Sequence, residues 1–242
     1  MNTKSAAAVV TGARHLRTGR NGQDAAAAWA RDAAGAIVVC DGCSAGAASE
    51  VGARIASQVA IAAIVQALVI GVPPDELWNL VRARIIVTLE RVLAELPDRE
   101  RAVHDHFLFT IVAAARRGDS VSVWAVGDGG YAIGDREHLL GPFADNQPPY
   151  LGYELLGASV AEHRDAADAY AGALVVGSDG ACELGLAQFT APHFVDHPDA
   201  LRREFARHAR TPERIDWDAR RVDRRPATLQ DDGAVAVLRW RS

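Results

Sequence analysis

Ala36-Ile37-Val38-Val39-Cys40-Asp41-Gly42-Cys43-Ser44-Ala45-Gly46-Ala47-Ala48-Ser49 is the stretch on which the reading of this 242-residue chain turns. Its apolar start, Ala36–Cys40, is long enough for a buried strand and runs straight into a carboxylate and a glycine. Asp-Gly is the commonest two-residue hairpin signal, but a hairpin needs a second strand to return. Here a small-residue connection leads instead to Ser49, a helix-capping residue type. Val51, Ile55 and Val59 then recur at four-residue spacing, predicting a helix to about Leu68. Asp41 is therefore expected to be a carboxylate held at a fixed place by the end of a rigid strand.

The same arrangement recurs along the chain. Trp124-Ala125-Val126-Gly127 leads into Asp128-Gly129, and Val175-Val176-Gly177-Ser178 into Asp179-Gly180. Asp231-Asp232-Gly233 stands immediately before the last apolar run. After Asp179, the residues Gly180-Ala181-Cys182-Glu183-Leu184 do not resume strand alternation, which weakens a turn there. At Asp128 a hairpin turn explains the sequence as well as a ligand does. Several carboxylate oxygens held at strand ends suit hard cations such as Mg²⁺ or Mn²⁺.

The rest of the pattern frames these positions. Pro73-Pro74-Asp75-Glu76 opens a second helix, because proline and acidic residues suit the free donors and positive end of a first turn. Leu77, Val81, Ile85, Leu89, Val92 and Leu96 keep helical spacing until Pro97 stops it. A shorter helix is expected from Pro198 to about Ala209. Strands are predicted at Ala6–Thr11, Ala36–Cys40, Phe107–Ala115, Ser120–Val126, Ala173–Gly177 and Ala234–Trp240. The third and fourth form a hairpin through Arg116-Arg117-Gly118-Asp119. Antiparallel strands with grouped helices give a layered α+β domain. No repeat or linker divides residues 1–242, which read as one domain.

Composition excludes some classes of function. With 49% hydrophobic and 24% charged residues the chain reads as a soluble globular protein. A formal charge of −5 argues against a nucleic-acid partner. Val59–Ile70, the longest apolar segment, is interrupted by Gln66 and too short to span a bilayer, and no secretory signal is evident at the start, so no membrane partner is expected. Three cysteines, an odd and small number, point to a reducing cytoplasm. Cys40-x-x-Cys43 has zinc or redox spacing, yet only Cys182 remains beside them, so a Cys₄ site is impossible and Cys40 reads as a buried strand residue. His104-Asp105-His106 reads as an exposed connection. Arg220-Arg221 and Arg224-Arg225, diluted by Asp216, Asp218 and Asp223, read as solvated surface.

Taken in order, these motifs resemble the PP2C-like (PPM) family of metal-dependent serine/threonine protein phosphatases, in its bacterial form. Gln23-Asp24, after Ala13-Arg14-His15-Leu16-Arg17-Thr18-Gly19-Arg20, is similar to the family's early acidic motif. Asp41-Gly42 before a long helix, Phe109-Thr110 with Gly127-Asp128-Gly129, Ser178-Asp179-Gly180 and Asp231-Asp232 follow in the family's sequence. The resemblance implies a four-layer αββα sandwich of two antiparallel sheets flanked by helices. It also implies two Mn²⁺ or Mg²⁺ ions and a weaker third. Asp41, Asp179 and Asp231 would ligate one ion. Asp41 would bridge to a second, which would also take the Gly42 carbonyl and waters held by Asp24. Asp128 and Glu183 would lie near the third. The implied reaction is attack on a phosphomonoester by a water bridging two cations, with a phosphorylated protein as substrate and a cognate Ser/Thr kinase as functional partner.

The chain also departs from the family pattern. Cys43 stands where many relatives carry a histidine that can protonate the leaving group, so that proton would come from a metal-bound water or from His15. Gln23 removes one acidic charge, and Glu183 replaces the usual aspartate at the third site. Arg17 and Arg20 both lie near the position of the phosphate-binding arginine, where a guanidinium fork could grip oxygens bidentately. The segment Gly134–Tyr170 corresponds to the variable flap beside the cleft. These departures leave a second reading, a catalytically weak module that binds a phosphoprotein or another regulator. A third is an unrelated layered hydrolase with coincidental Asp-Gly turns, which would place Asp41 and Asp231 on opposite sides of the molecule.

Overall fold

The computed structural model describes residues 2–168, 172–197 and 199–240, without the side chain of Asn146. One antiparallel sheet runs β2(Ala25–Arg31)-β3(Ala34–Gly42)-β4(Phe109–Arg117)-β5(Ser120–Val126)-β8(His163–Asp168). The other runs β1(Thr3–Val10)-β12(Gly233–Trp240)-β9(Ala173–Gly177)-β6(Gly129–Ile133)-β7(Arg136–Leu140). Helices α2(Glu50–Ile70) and α3(Pro74–Leu93) cover the first sheet. The short helices α5(Asp179–Cys182), α6(His193–Asp196) and α7(Ala200–His208) cover the second. The result is the α+β sandwich with helices on both outer faces.

Alternation along single strands builds three stacked cores. On β3, Ala36, Val38 and Cys40 face the helices, whereas Ile37 and Val39 face the opposite sheet. On β12, Ala234, Ala236 and Leu238 point between the sheets, while Val235 and Val237 meet Phe189, Phe194 and Phe205 on the far side. Strands buried on both faces read as unbroken apolar runs, which is why these two stand out in the sequence.

Several elements differ from expectation. The buried face of α2 is not set by Val51, which is 40% exposed, nor by the half-buried Ile55 and Val59. It is set by Gly52, Ala53, Ala56, Ala60, Ala63 and Ala67, small residues that let the helix lie close on β2 and β3, together with the buried Ile64. Ser49 does not cap α2: its hydroxyl donates to the Cys43 carbonyl at 2.8 Å. On α3, Leu93 is buried where Val92 was expected, and the helix stops there, four residues before Pro97. Phe107 lies outside β4, in a wide helical turn over Val103–Phe107 that also holds His104 and the half-buried His106. Arg116 belongs to β4 rather than to the turn. It is fully buried, donates to Thr3 Oγ1 at 2.8 Å and lies 4.6 Å from the Trp240 ring centre.

β1 begins at Thr3 and ends at Val10, short of Thr11. The late helix begins at Ala200; Pro198 lies outside the described residues, as do residues 169–171, the first two of which end the flap. The sequence pattern does not mark β2, β6, β7 or β8, nor an exposed hairpin of β10(Glu213–Asp216) and β11(Arg221–Arg224). That hairpin holds the late arginines at the surface, with Arg224 paired to Glu213 at 2.8 Å. By length and apolarity α2 is the one helix among the described residues able to cross a bilayer, but its small-residue face is buried in the core.

Candidate metal centre

The two sheets deliver carboxylates to one shared edge. Asp41 is the next-to-last residue of β3, in register with Thr110 of β4. Asp128 lies between β5 and β6, which belong to different sheets and do not pair. A hairpin turn there is thereby ruled out, and Asp128 marks the crossing from one sheet to the other. Asp179 starts α5 one residue beyond β9, after Ser178, and Asp231 and Asp232 precede β12. Asp24 stands just before β2.

A cavity of about 90 Å³ opens between these strand ends. It is lined by Asp24, Asp41, Gly42, Asp128, Asp179, Asp231 and Asp232, with Gln23, Cys43, Ser44, Thr110, Pro148 and Tyr150. Asp41 and Asp231 thus share one cavity, which removes the coincidental-turn reading. No Lys, Arg or His lines it among the described residues. The volume suits ions and a phosphoryl group rather than an organic ligand, whose pockets run to roughly 300 Å³ and more.

Like charges crowded together change the chemistry of the acids. Burial, with Asp232 and Asp179 close by, pushes Asp24 up to about 8 even though hydrogen bonds from Ser178 and Asp41 oppose the shift. Burial, Asp24, Asp179 and Asp128 hold Asp41 well above the ordinary aspartate range, and the two share a hydrogen bond. Asp128 rises to about 6 through burial and Asp179, against the Thr110 hydroxyl that stabilises its charge. Asp24 Oδ2 is buried with no hydrogen-bond partner, as is Gln23 Oε1. An orphaned carboxylate oxygen among acids that raise one another's pKa is a donor set fitted to hard divalent cations.

Asp231 and Asp232 divide the work. Asp231 is exposed and faces the cavity. Asp232 is buried and saturated: Oδ1 accepts Gly12 N–H at 2.8 Å, and Oδ2 accepts Gln23 N–H and meets His15 Nδ1, both at 2.7 Å. His15 is thus buried behind the wall, beside Asp231 and Asp232 but absent from the lining. A proton donor must reach the reacting oxygen. From this place His15 fixes Asp232 and does not enter the cavity. Backbone fit also locates the pair: a Cβ on Gly12 would fall 2.1 Å from the Asp231 carbonyl oxygen, and one on Gly180 2.2 Å from that of Asp232.

The remaining candidates are spread around the rim. The Gly42 backbone lines the cavity, and its missing Cβ makes room for Ser49 Oγ, which would be 2.7 Å away. Gln23 Nε2 donates to that hydroxyl at 2.5 Å and to the Cys43 carbonyl at 3.2 Å, so Gln23 ties the Cys43 loop to the start of α2. Arg20 is half-buried and donates from Nη2 to the Gly46 carbonyl at 2.6 Å. Arg17 is exposed on α1(Ala13–Thr18), and neither arginine lines the cavity. Glu183 is exposed just past α5 and also lies outside the lining. Cys40, Cys43 and Cys182 are all free.

The sequence puts Tyr150 and Pro148 in the flap beside the cleft without marking them as cavity residues, and it marks neither Gly12 nor the structural part played by Asp232. The first two come from an irregular loop without periodicity, and the role of Gly12 depends on Asp232, 220 residues away.

The sequence pattern described as Protein phosphatase 2C matches residues 11–209. No curated protein matches the chain. Among solved structures, the Mycobacterium tuberculosis serine/threonine phosphatase PstP/Ppp superposes with a TM-score of 0.58 at 16% identity, over 100% of each chain. The catalytic domain of PstP, in complex with two manganese ions, gives 0.61 at 16% identity and 98% of each chain. The Staphylococcus aureus serine/threonine phosphatase Stp1 gives 0.61 at 14% identity, over 100% of this chain and 96% of its own.

Proposed function

This chain belongs to the protein phosphatase 2C family, and on that premise we propose that it is a metal-dependent phosphatase acting on phosphoserine or phosphothreonine in proteins, with residues 1–242 working as one catalytic unit. The gathering of Asp24, Asp41, Asp128, Asp179 and Asp231 in a cavity that no cationic side chain lines among the described residues supports this most. Asp41, Asp179 and Asp231, with the Gly42 carbonyl and waters held by Asp24, would hold two Mn²⁺ or Mg²⁺ ions, and Asp128 would favour a third. Bound as a pair, such cations would neutralise charge on the phosphoryl oxygens and lower the pKa of a water lying between them.

The chain's own residues set the stage for that chemistry. Asp41 and Asp179 approach from opposite sheets and orient whatever lies between them. Asp232, locked by His15, Gly12 and Gln23, holds the backbone that presents Asp231. Arg20 is better placed than Arg17 to reach a phosphate, because it is anchored on the loop that carries Cys43 and Ser44 to the cavity. A reducing cytoplasm suits three free cysteines, and a Ser/Thr kinase would supply the substrate.

The test is hydrolysis of p-nitrophenyl phosphate. Activity should need added Mn²⁺ or Mg²⁺ and fall at least a thousandfold in Asp41→Ala or Asp179→Ala. Full turnover in excess chelator would refute the proposal. Tight phosphopeptide binding without turnover under any metal would identify a regulatory binding module instead.

A further inference from the structure

We propose that the Tyr150 hydroxyl is the neutral hydrogen-bond donor that grips a phosphoryl oxygen in the carboxylate cavity, a role that rests on the phosphatase reading. A phosphate entering a space lined by acids needs donors as well as cations. The lining offers few. Gln23 Nε2 is spent on Ser49 and Cys43, and the Thr110 hydroxyl is engaged by Asp128. Ser44 is exposed on the loop, and Cys43 carries a thiol, a weak donor. Tyr150 remains: its phenol lines the cavity together with Cys43, whose thiol is a soft acceptor that an anionic phosphate oxygen would readily outcompete for the hydroxyl proton.

The ring is held where this contact requires it. Leu151 and Leu155, which follow it in a short helical segment, are fully buried against the core of α2 and α3. A Cβ on Gly152 would fall 1.9 Å from the Phe107 carbonyl oxygen, so the segment is pressed against the chain entering β4. Arg99 donates through Nε to the Leu155 carbonyl at 3.1 Å, and the Tyr153 ring lies 6.0 Å from that of Tyr150. A phenol fixed this way loses little freedom on gripping a ligand, which is what makes a positioned donor effective.

Tyr150→Phe keeps the ring and removes only the hydroxyl. Calorimetry in saturating Mn²⁺ should show inorganic phosphate binding about tenfold more weakly to this variant than to the natural protein. Mn²⁺ affinity without phosphate should stay the same, and KM for p-nitrophenyl phosphate should rise more than kcat falls. Equal phosphate affinity in the two proteins overturns the inference while leaving the phosphatase reading intact. Lost Mn²⁺ affinity in the variant also overturns it, by making Tyr150 a structural residue. A natural protein that binds Mn²⁺ but neither binds nor hydrolyses phosphate esters overturns the inference together with its premise.

Discussion

At the scale of single residues, Asp232 shows how a charge can be spent on architecture inside a reactive site. Three donors from Gly12, Gln23 and His15 converge on its two oxygens, and replacing them with nothing would leave each donor buried and unpaired. Asp232→Ala is expected to cost about 3 kcal/mol, measured by urea denaturation of the metal-free protein, because loss of one partner strands the others. A loss under 1 kcal/mol would mean that water replaces the carboxylate freely. Its neighbour Asp231 was legible as a candidate ligand because Asp231-Asp232 closes the series of acidic motifs in the order that the resemblance requires. The division of labour between the two was not legible, since it depends on His15 and Gly12 arriving from the opposite end of the chain. Tyr150 was placed only as part of a flap beside the cleft, since nothing local in Gln147-Pro148-Pro149-Tyr150 reports that its ring lines the cavity together with Cys43.

At the scale of elements, α2 illustrates how periodicity can find a helix and misplace its face. The branched residues Val51, Ile55 and Val59 dominate a hydrophobic count, yet alanines on the neighbouring stripe meet the sheet. Close approach is worth more here than side-chain bulk, because β2 and β3 lie directly beneath. Ala60→Leu should therefore destabilise by about 1–3 kcal/mol through overpacking, whereas Val69→Ser, at a site 73% exposed, should change stability by less than about 0.5 kcal/mol. Thermal melts of the two variants would check the assignment, and the reverse order would contradict it. Strand β2 escaped sequence reading because Ala25-Ala26-Ala27-Ala28 lacks β-branched residues. Strand β8, His163–Asp168, escaped because an edge strand facing solvent carries polar residues and no alternation. By contrast β3, β4, β9 and β12 were plain, since burial on both faces leaves their composition almost wholly apolar.

At the scale of the molecule, six acids gathered from five places in the sequence make stability depend on pH. Asp24 holds its proton up to about pH 8 and Asp128 to about 6, with Asp41 also shifted up, whereas ordinary aspartates ionise near 3.8. Between about pH 4 and 8 the metal-free folded state therefore binds more protons than the unfolded chain. Its stability must fall as pH rises through that window, by about 1.4 kcal/mol per pH unit for each proton so held. The melting temperature of chelator-treated protein should drop from pH 5 to pH 8, and Mn²⁺ at pH 8 should restore it; a flat profile would contradict the crowding. A layered α+β domain was readable from strands and helices in sequence, whereas the αββα order and the meeting of Asp41, Asp179 and Asp231 came from the resemblance of the ordered motifs to a known family. What sequence left open at Asp128 was settled by topology, because only the assembled sheets show that β5 and β6 part company there.

The cavity lies on the seam of the sandwich: Asp41 rides on one sheet, while Asp179 and Asp231 ride on the other. Sliding one slab past its mate by an ångström would pull these oxygens out of common reach. Anything gripped there acts as a rivet, and the interior packing between the slabs is in turn the gauge that keeps the rivet hole true.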